Sequence, residues 1–261
     1  MSATGHHEPS VSRYGYDEPD STEPFFSVRN NEMQQPQEEL DPFGTGKLPS
    51  GRHGLPREVV VRSQRERMVE SMISVVALKG YTETTVADII SNAGVSRATF
   101  YEQFADKEDC FIAAYGTVME RLLAFVAEGF TIQTDDWIVQ IRSGISNLLV
   151  YLAHNPVAAR VGIVEGFGAG ARARDRYQQA VSSFFPFLDA GRELTPTPER
   201  IPGHVARVIV GGVSALMFNE ASTGHAEKLP TLLPEMMYMV VAPYLGHERA
   251  MQAMAETKVP V

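Results

Sequence analysis

Gly94 and Val95 separate two short helical segments, and the polar residues Ser96, Arg97 and Thr99 open the second of them. Hydroxyls and a guanidinium at an exposed helix start are groups that can face a nucleic acid. In a helix-turn-helix the second helix enters the major groove of DNA and the first lies across the backbone. This requires a rigid three-helix core that presents one helix end. Val86, Ile89, Ile90, Val95, Phe100 and Phe104 are the apolar residues available for that core. A helix, a glycine and a helix also occur in proteins that never meet DNA. The spacing alone therefore leaves a purely structural helical interaction protein as a rival.

Other chemistry is thinner. Gly166-Phe167-Gly168-Ala169-Gly170-Ala171 has the loose form of a dinucleotide-binding glycine loop and follows the apolar run Val161 to Val164. Such a loop needs a strand before it, a buried helix after it and an acid about 20 positions on. Asp189 fills the last place, but Arg172, Arg174, Asp175 and Arg176 make a polar helix start, and no strand pattern supplies a parallel sheet. The loop reads as a junction between helices. HExxH, GxSxG and GxxxxGK[ST] are missing, so zinc protease, serine hydrolase and P-loop chemistry lack their minimum parts. His6-His7 has no companions for a metal site. The expectation is a protein that is not an enzyme and uses no cofactor or metal. Cys110, the single cysteine, excludes an internal disulfide framework and fits a reducing compartment. It reads as a small buried hydrophobe, with redox sensing as the alternative.

The elements that would position Ser96, Arg97 and Thr99 are all helical. Met68, Val69, Met72, Ile73 and Val76 share one helical face, and Gly80 stops that helix after Lys79. Thr85 can cap a second helix with Asp88 three residues on, and Val86, Ile89, Ile90 and Ala93 form its apolar stripe. Ser96 can cap the third helix. Asp106 caps a fourth, whose stripe is Phe111, Ile112, Tyr115, Val118, Met119, Leu122 and Val126. Further helices are predicted near 135–154, 156–167, 172–188, 202–223 and 230–245, with breaks at Asn155-Pro156, at glycines 166, 168 and 170, between Gly191 and Pro198, and at Gly224. Nothing alternates with period two, so the fold class is all-α.

The 261 residues contain 44% hydrophobic and 21% charged side chains, near globular averages. The net charge of −9 argues at first against a polyanionic partner. Its distribution argues otherwise. Residues 1–56 hold nine acids against four Lys or Arg, whereas residues 52–67 hold Arg52, Arg57, Arg62, Arg65 and Arg67 against Glu58 and Glu66. A basic stretch thus follows an acidic tail. Residues 1–50, rich in Pro, Glu, Asp, Asn and Gln without apolar period, are expected to be disordered. The longest apolar runs, Val208 to Phe218 and Met236 to Leu245, fall short of the roughly 18 to 20 residues that cross a bilayer. The start, MSATGHHEPS, has no basic-then-apolar pattern, and the expected location is cytoplasmic.

The run Gly80 to Phe111 resembles the amino-terminal DNA-binding domain of the TetR family of bacterial transcriptional regulators. The resemblance is carried by Gly80-Tyr81, Thr84-Thr85-Val86, Asp88-Ile89, Ala93-Gly94-Val95-Ser96, Thr99-Phe100-Tyr101, Phe104 and Lys107-Glu108. It is strong over roughly residues 60–110 and elsewhere is only that of an all-helical remainder. It implies that Arg97 and Thr99 face base edges, Arg97 toward guanine and Thr99 toward a thymine methyl. It also implies phosphate contacts from Thr85, Tyr101 and Lys107, with Ser96 both capping and touching phosphate. Each has a plainer reading: Thr85 and Ser96 as caps, Tyr101 as packing, Lys107 as a solvated charge, and Arg97 paired with Glu102. Gln103, Ala98 and Glu102 depart from the commoner family pattern, so no operator sequence is predictable. Arg57, Arg62 and Arg65 suit an arm reaching an adjacent minor groove, or a solvated charge run.

The resemblance further implies a homodimer paired through the last two long helices, where Gly211, Gly212, Ser214 and Ala215 permit close approach. It implies a small-molecule pocket in the second half, for which Trp137, Tyr151, Phe167, Tyr177, Phe184 and Met217 are the candidate lining residues, although most such residues are simply core. The expected organisation is a tail and hinge at 1–56, a DNA-binding domain at 57–110, a ligand-binding and dimerisation domain at 111–250 and a flexible end at 251–261. The function implied is a ligand-responsive transcriptional regulator, a repressor on a palindromic operator.

Overall fold

The computed structural model describes residues 56–130 and 134–260, without the side chains of Phe130 and Phe167. Arg52, His6-His7 and the expected tail up to residue 55 lie outside the described residues. Every regular element among the described residues is a helix, as the absence of a two-residue period requires.

Four helices build the front of the described chain: α1 (Arg57–Lys79), α2 (Val86–Ala93), α3 (Arg97–Gln103) and α4 (Lys107–Phe130). α1 ends where Gly80 takes φ 83°, a conformation open to glycine. Met68, Met72 and Val76 of α1 meet Ile89, Phe100, Phe104 and Phe111, all of them buried, in one continuous core. α3, with seven residues, is too short to hold together alone. Phe100, with no exposed surface, anchors it from below. The Ser71 hydroxyl, also buried, donates to Ile89 O at 2.8 Å and ties α2 to α1.

α4 continues from this head into the second half. There it packs along α5 (Trp137–His154), whose first turn Asp136 caps by accepting from Ile138 N and Val139 N. Lys107–Gly129 is long and apolar enough to cross a membrane by length and composition, a property that the search for uninterrupted apolar runs overlooks. Half of that window is buried inside the helical fold.

The segment predicted as one helix over 156–167 is more complicated. A single turn α6 (Pro156–Ala158) leads into a π-helix, Ala159–Glu165, and then a second turn α7 (Gly166–Gly168). Gly166 sits against Tyr115: a Cβ there would come within 2.5 Å of the ring. The predicted helix 172–188 is two, α8 (Ala171–Ser182) and α9 (Phe185–Asp189). Pro186 favours the break, since it has no N–H to bond back to Ser182 O and sits well in the first turn of a new helix. α10 (Val205–Ser222) follows two 3₁₀ turns, Ala190–Leu194 and Pro198–Arg200. After a third, Ala226–Leu232, α11 (Leu233–Glu256) runs eleven residues past the predicted end at Leu245. Gly246, at φ 82° and ψ 171°, is not helical, so α11 is two helical stretches that meet at a kink, the first ending at Leu245 as predicted. Ala250, Ala253 and Thr257 beyond the kink are buried, so the end expected to be flexible is packed at least to Thr257.

Candidate nucleic-acid interface and effector cavity

The turn between α1 and α2 is built by reciprocal bonds. Thr85 Oγ1 accepts from Asp88 N at 3.3 Å, and Asp88 Oδ2 accepts from Thr85 N at 2.8 Å, a complete capping box. Lys79 Nζ pairs with the same carboxylate at 2.6 Å. Lys79, and after it Thr85, hold the Asp88 carboxyl well below the usual carboxylate range. Gly94 closes α2 in the left-handed region at φ 63°, ψ 42°, and the chain turns directly into α3. Ser96 Oγ accepts from Thr99 N at 3.0 Å, so it is the cap of α3, and its hydroxyl lies 2.9 Å from that of Thr99.

Ser96, Arg97 and Tyr101 are exposed on this helix and Thr99 is half-buried. Arg97 forms no ion pair with Glu102 among the described residues. Tyr101 is 52% exposed and only its edge meets Phe100, with ring centroids 5.3 Å apart. Lys107 is placed differently from a solvated charge. Its ammonium donates to Tyr81 O and Thr84 O, each at 2.9 Å, and stands 4.2 Å from the Tyr81 ring centroid. It braces the turn that carries Thr85.

Arg57, Arg62, Arg65 and Arg67 lie within α1 and form no extended arm, because that helix begins at Arg57. Arg57 and Arg62 are exposed. Arg65 donates to Gln103 O at 3.0 Å and covers Phe104, its guanidinium carbon 4.3 Å from the ring centroid. Arg67 donates to Ala93 O at 3.0 Å. Both hold the head together. Cys110 is fully buried with its thiol pushed up to about 12, by burial above all, which suits a packed hydrophobe.

Between α4, α5, the π-helix, α8, α9, α10 and α11 lies a cavity of about 90 Å³ with an almost wholly apolar wall. Tyr177, Phe184 and Met217 line it, as do Tyr115, Met119 and Ile141. Trp137 and Tyr151, expected to line it, do not. Trp137 donates from Nε1 to Phe187 O at 2.9 Å and packs its ring on Tyr244, while Tyr151 packs on Phe125. Both are core aromatics, and an aromatic in the sequence carries no mark of which side of its helix meets a void. The side chain of Phe167 lies outside the described residues.

How cavity and head connect could not be read from residue spacing. Gly162 and Ile163 of the π-helix face the cavity, and Glu165 at its end reaches the head. Glu165 Oε2 accepts from Tyr81 N at 2.9 Å, while Oε1 pairs with Arg160 at 2.8 Å. A second link joins Arg172 of α8 to Asp109 at 3.2 Å. Neither pair has a local spacing to betray it, since Glu165 and Tyr81 stand 84 positions apart.

Residues 73–114 match the family model for bacterial regulatory proteins of the tetR family. No curated protein matches the sequence. Among solved structures, the fatty acid degradation regulator FadR from Bacillus halodurans superposes with a TM-score of 0.58 at 18% identity, over 68% of this chain and 94% of that one. A TetR family transcription regulator from Marinobacter aquaeolei VT8 gives 0.54 at 18% identity, over 71% and 97%. FadR from Bacillus subtilis, solved in complex with stearoyl-CoA, gives 0.52 at 19% identity, over 69% and 98%. At these identities the likeness is one of fold. The helix-turn-helix thus lies inside the residues 73–114 that match this family model, and the helices around it have the fold of these regulators.

Proposed function

We propose that this protein is a homodimeric repressor that binds a palindromic DNA operator and responds to an apolar small molecule. The observation that carries the reading is the exposed start of α3, where Arg97, with no ion pair among the described residues, stands over a buried three-helix core that Glu165 ties at Tyr81 to the wall of an apolar cavity. In this reading Arg97 and Thr99 read base edges and Thr85, Ser96 and Tyr101 touch phosphate. Lys107 gives two of its three ammonium protons to the turn and has one left for a phosphate. Arg57 and Arg62 add long-range attraction from the start of α1.

The dimer forms through α10 and α11. Gly211 and Ala215 face outward, and Val208 beside them is 72% exposed. Gly212 and Ser214 serve inside the protomer instead: a Cβ on Gly212 would come within 2.8 Å of Met239, and Ser214 lines the cavity. Binding of stearoyl-CoA by the similarly folded Bacillus subtilis regulator supports a long apolar ligand here. A ligand shifts DNA affinity only as far as it prefers one spacing of the two heads over another.

Selection of genomic fragments on the purified protein, followed by mobility shift, tests the reading. A recovered consensus with two-fold symmetry is expected. Fragments without a shared sequence would overturn it.

A further inference from the structure

We infer that Glu102 is a specificity-determining residue, which reads a cytosine in the operator by accepting a hydrogen bond from its N4 amino group in the major groove. This rests on the reading of the chain as a DNA-binding regulator and adds to it a residue and the base that it recognises.

α3 has seven residues, and the buried Phe100 fixes its rotation. Successive residues of a helix turn by about 100°, so side chains two positions to either side of Phe100 stand about 160° from it. Those residues are Ala98 and Glu102, both exposed. Thr99 and Gln103 on one flank are half-buried, and Arg97 and Tyr101 occupy the other. The face turned most directly away from the core therefore carries Ala98 and Glu102. A seven-residue helix is about 10 Å long and the major groove about 12 Å wide, so Glu102 stays within the groove when α3 enters it. Ala98, one turn earlier on the same face, has only a methyl group and lets the helix approach the base edges closely.

Glu102 forms no hydrogen bond or ion pair among the described residues. Other acids around the motif are engaged: Asp88 holds Thr85 and Lys79, and Asp109 holds Arg172. A carboxylate carried between two phosphate backbones is repelled unless it meets a donor, and it can itself only accept. On the major-groove edges guanine shows two acceptors, thymine an acceptor and a methyl, and adenine a donor with the acceptor N7 beside it. Cytosine shows its N4 donor alone. Glu102 therefore favours cytosine, and the repulsion it meets at other bases serves as discrimination. A cation at Arg97 favours any duplex, whereas an acid at Glu102 favours a site with cytosine in reach.

Site selection from random duplexes with full-length protein, repeated for Glu102→Gln and Glu102→Ala, tests the assignment. Wild type is expected to recover a fixed cytosine in each half-site. Glu102→Gln should change that position to adenine, whose N6 and N7 a side-chain amide fits, and leave the other positions as they are. Glu102→Ala should accept any base there. N4-methylcytosine at the selected position puts a methyl group where the major-groove proton was; it should weaken wild type about tenfold and leave Glu102→Ala unaffected. Both variants should melt at the wild-type temperature. A cytosine preference that survives Glu102→Ala overturns the inference, as does equal binding of methylated and unmethylated duplex by wild type. A lowered melting temperature in both variants would give Glu102 a structural role and overturns it too. Failure of the regulator reading looks different: wild type itself would recover no shared sequence, and the inference would fall with it.

Discussion

Arg97 and Lys107 lie on one short stretch of chain, yet their surroundings give them different work. Arg97 forms no ion pair among the described residues, which leaves its guanidinium open to the base contact proposed for it. Its replacement by alanine should cost about 1–3 kcal/mol of discrimination at one base pair. Site selection on wild type and variant measures this, and an unchanged consensus would remove Arg97 from the readout. Lys107 is half-buried on two carbonyls. Lys107→Met should lower stability by about 1.5–3 kcal/mol, since hydrogen bonds from a charged donor to the turn are lost. If its third proton also meets a phosphate, the slope of log affinity against log salt falls by about 0.9. A lowered melting temperature with an unchanged slope would confine the residue to bracing. Cys110 yields a pH prediction. Its folded thiol is raised to about 12 against an unfolded value near 8.5. The protonated form is thus favoured by folding. The resulting stability is complete below about pH 8.5 and is lost as pH rises toward the folded value. Cys110→Ala should remove that part of the alkaline decline in denaturant titrations, and the native thiol should resist thiol reagents until the chain unfolds.

At the scale of elements, the parts that could be read in the sequence were those fixed by near neighbours. Thr85 with Asp88, Gly94, and Ser96 with Thr99 are local bonds within four residues, and they form where their spacing predicts. Gly166 was legible as a break but its cause was not, because the Tyr115 ring that forbids a side chain there comes from α4. The helical stretch after Gly246 was not foreseen, since the burial of Ala250 and Ala253 depends on the tertiary fold. Nor could the π-helix be foreseen, because an apolar pattern read at 3.6 residues per turn does not distinguish one widened turn. That element would carry the proposed ligand response. It lines the cavity with Gly162 and Ile163 and ends on Glu165, the acceptor of the Tyr81 N–H. A ligand that returns the widened turns to α-helical register would rotate Glu165 away from the head. Couplings of this kind are typically about 1–3 kcal/mol. The double variant isolates it: Ser214→Phe should change operator affinity in the wild-type background and change it much less in Glu165→Ala. Faster hydrogen exchange at the Tyr81 amide in Glu165→Ala would show that the bond had been lost. Equal effects of Ser214→Phe in both backgrounds would place the coupling elsewhere, with Arg172 and Asp109 the next pair to test.

For the proposed dimer the controlling quantity is the distance between two heads. Two-fold pairing must set the α3 helices about one turn of duplex apart, about 34 Å, for both to enter successive major grooves. The pairing surface proposed for this purpose includes a side chain that is otherwise hard to justify, Val208, 72% exposed on α10. Ile209 and Met217 on the opposite side of α10 are buried, so the helix has one face committed to the protomer and another still open. Val208→Glu should leave the protomer folded, because its side chain touches no core, and should set two like charges against each other across the two-fold axis. Light scattering is expected to report a monomer at concentrations where wild type is a dimer. Mobility shift on the palindrome should then show a large loss of affinity, while binding to a single half-site stays close to that of wild type. A monomeric variant that still binds the palindrome as tightly as wild type would mean that the second head contributes nothing. A variant that remains dimeric would move the interface off the Val208 face of α10.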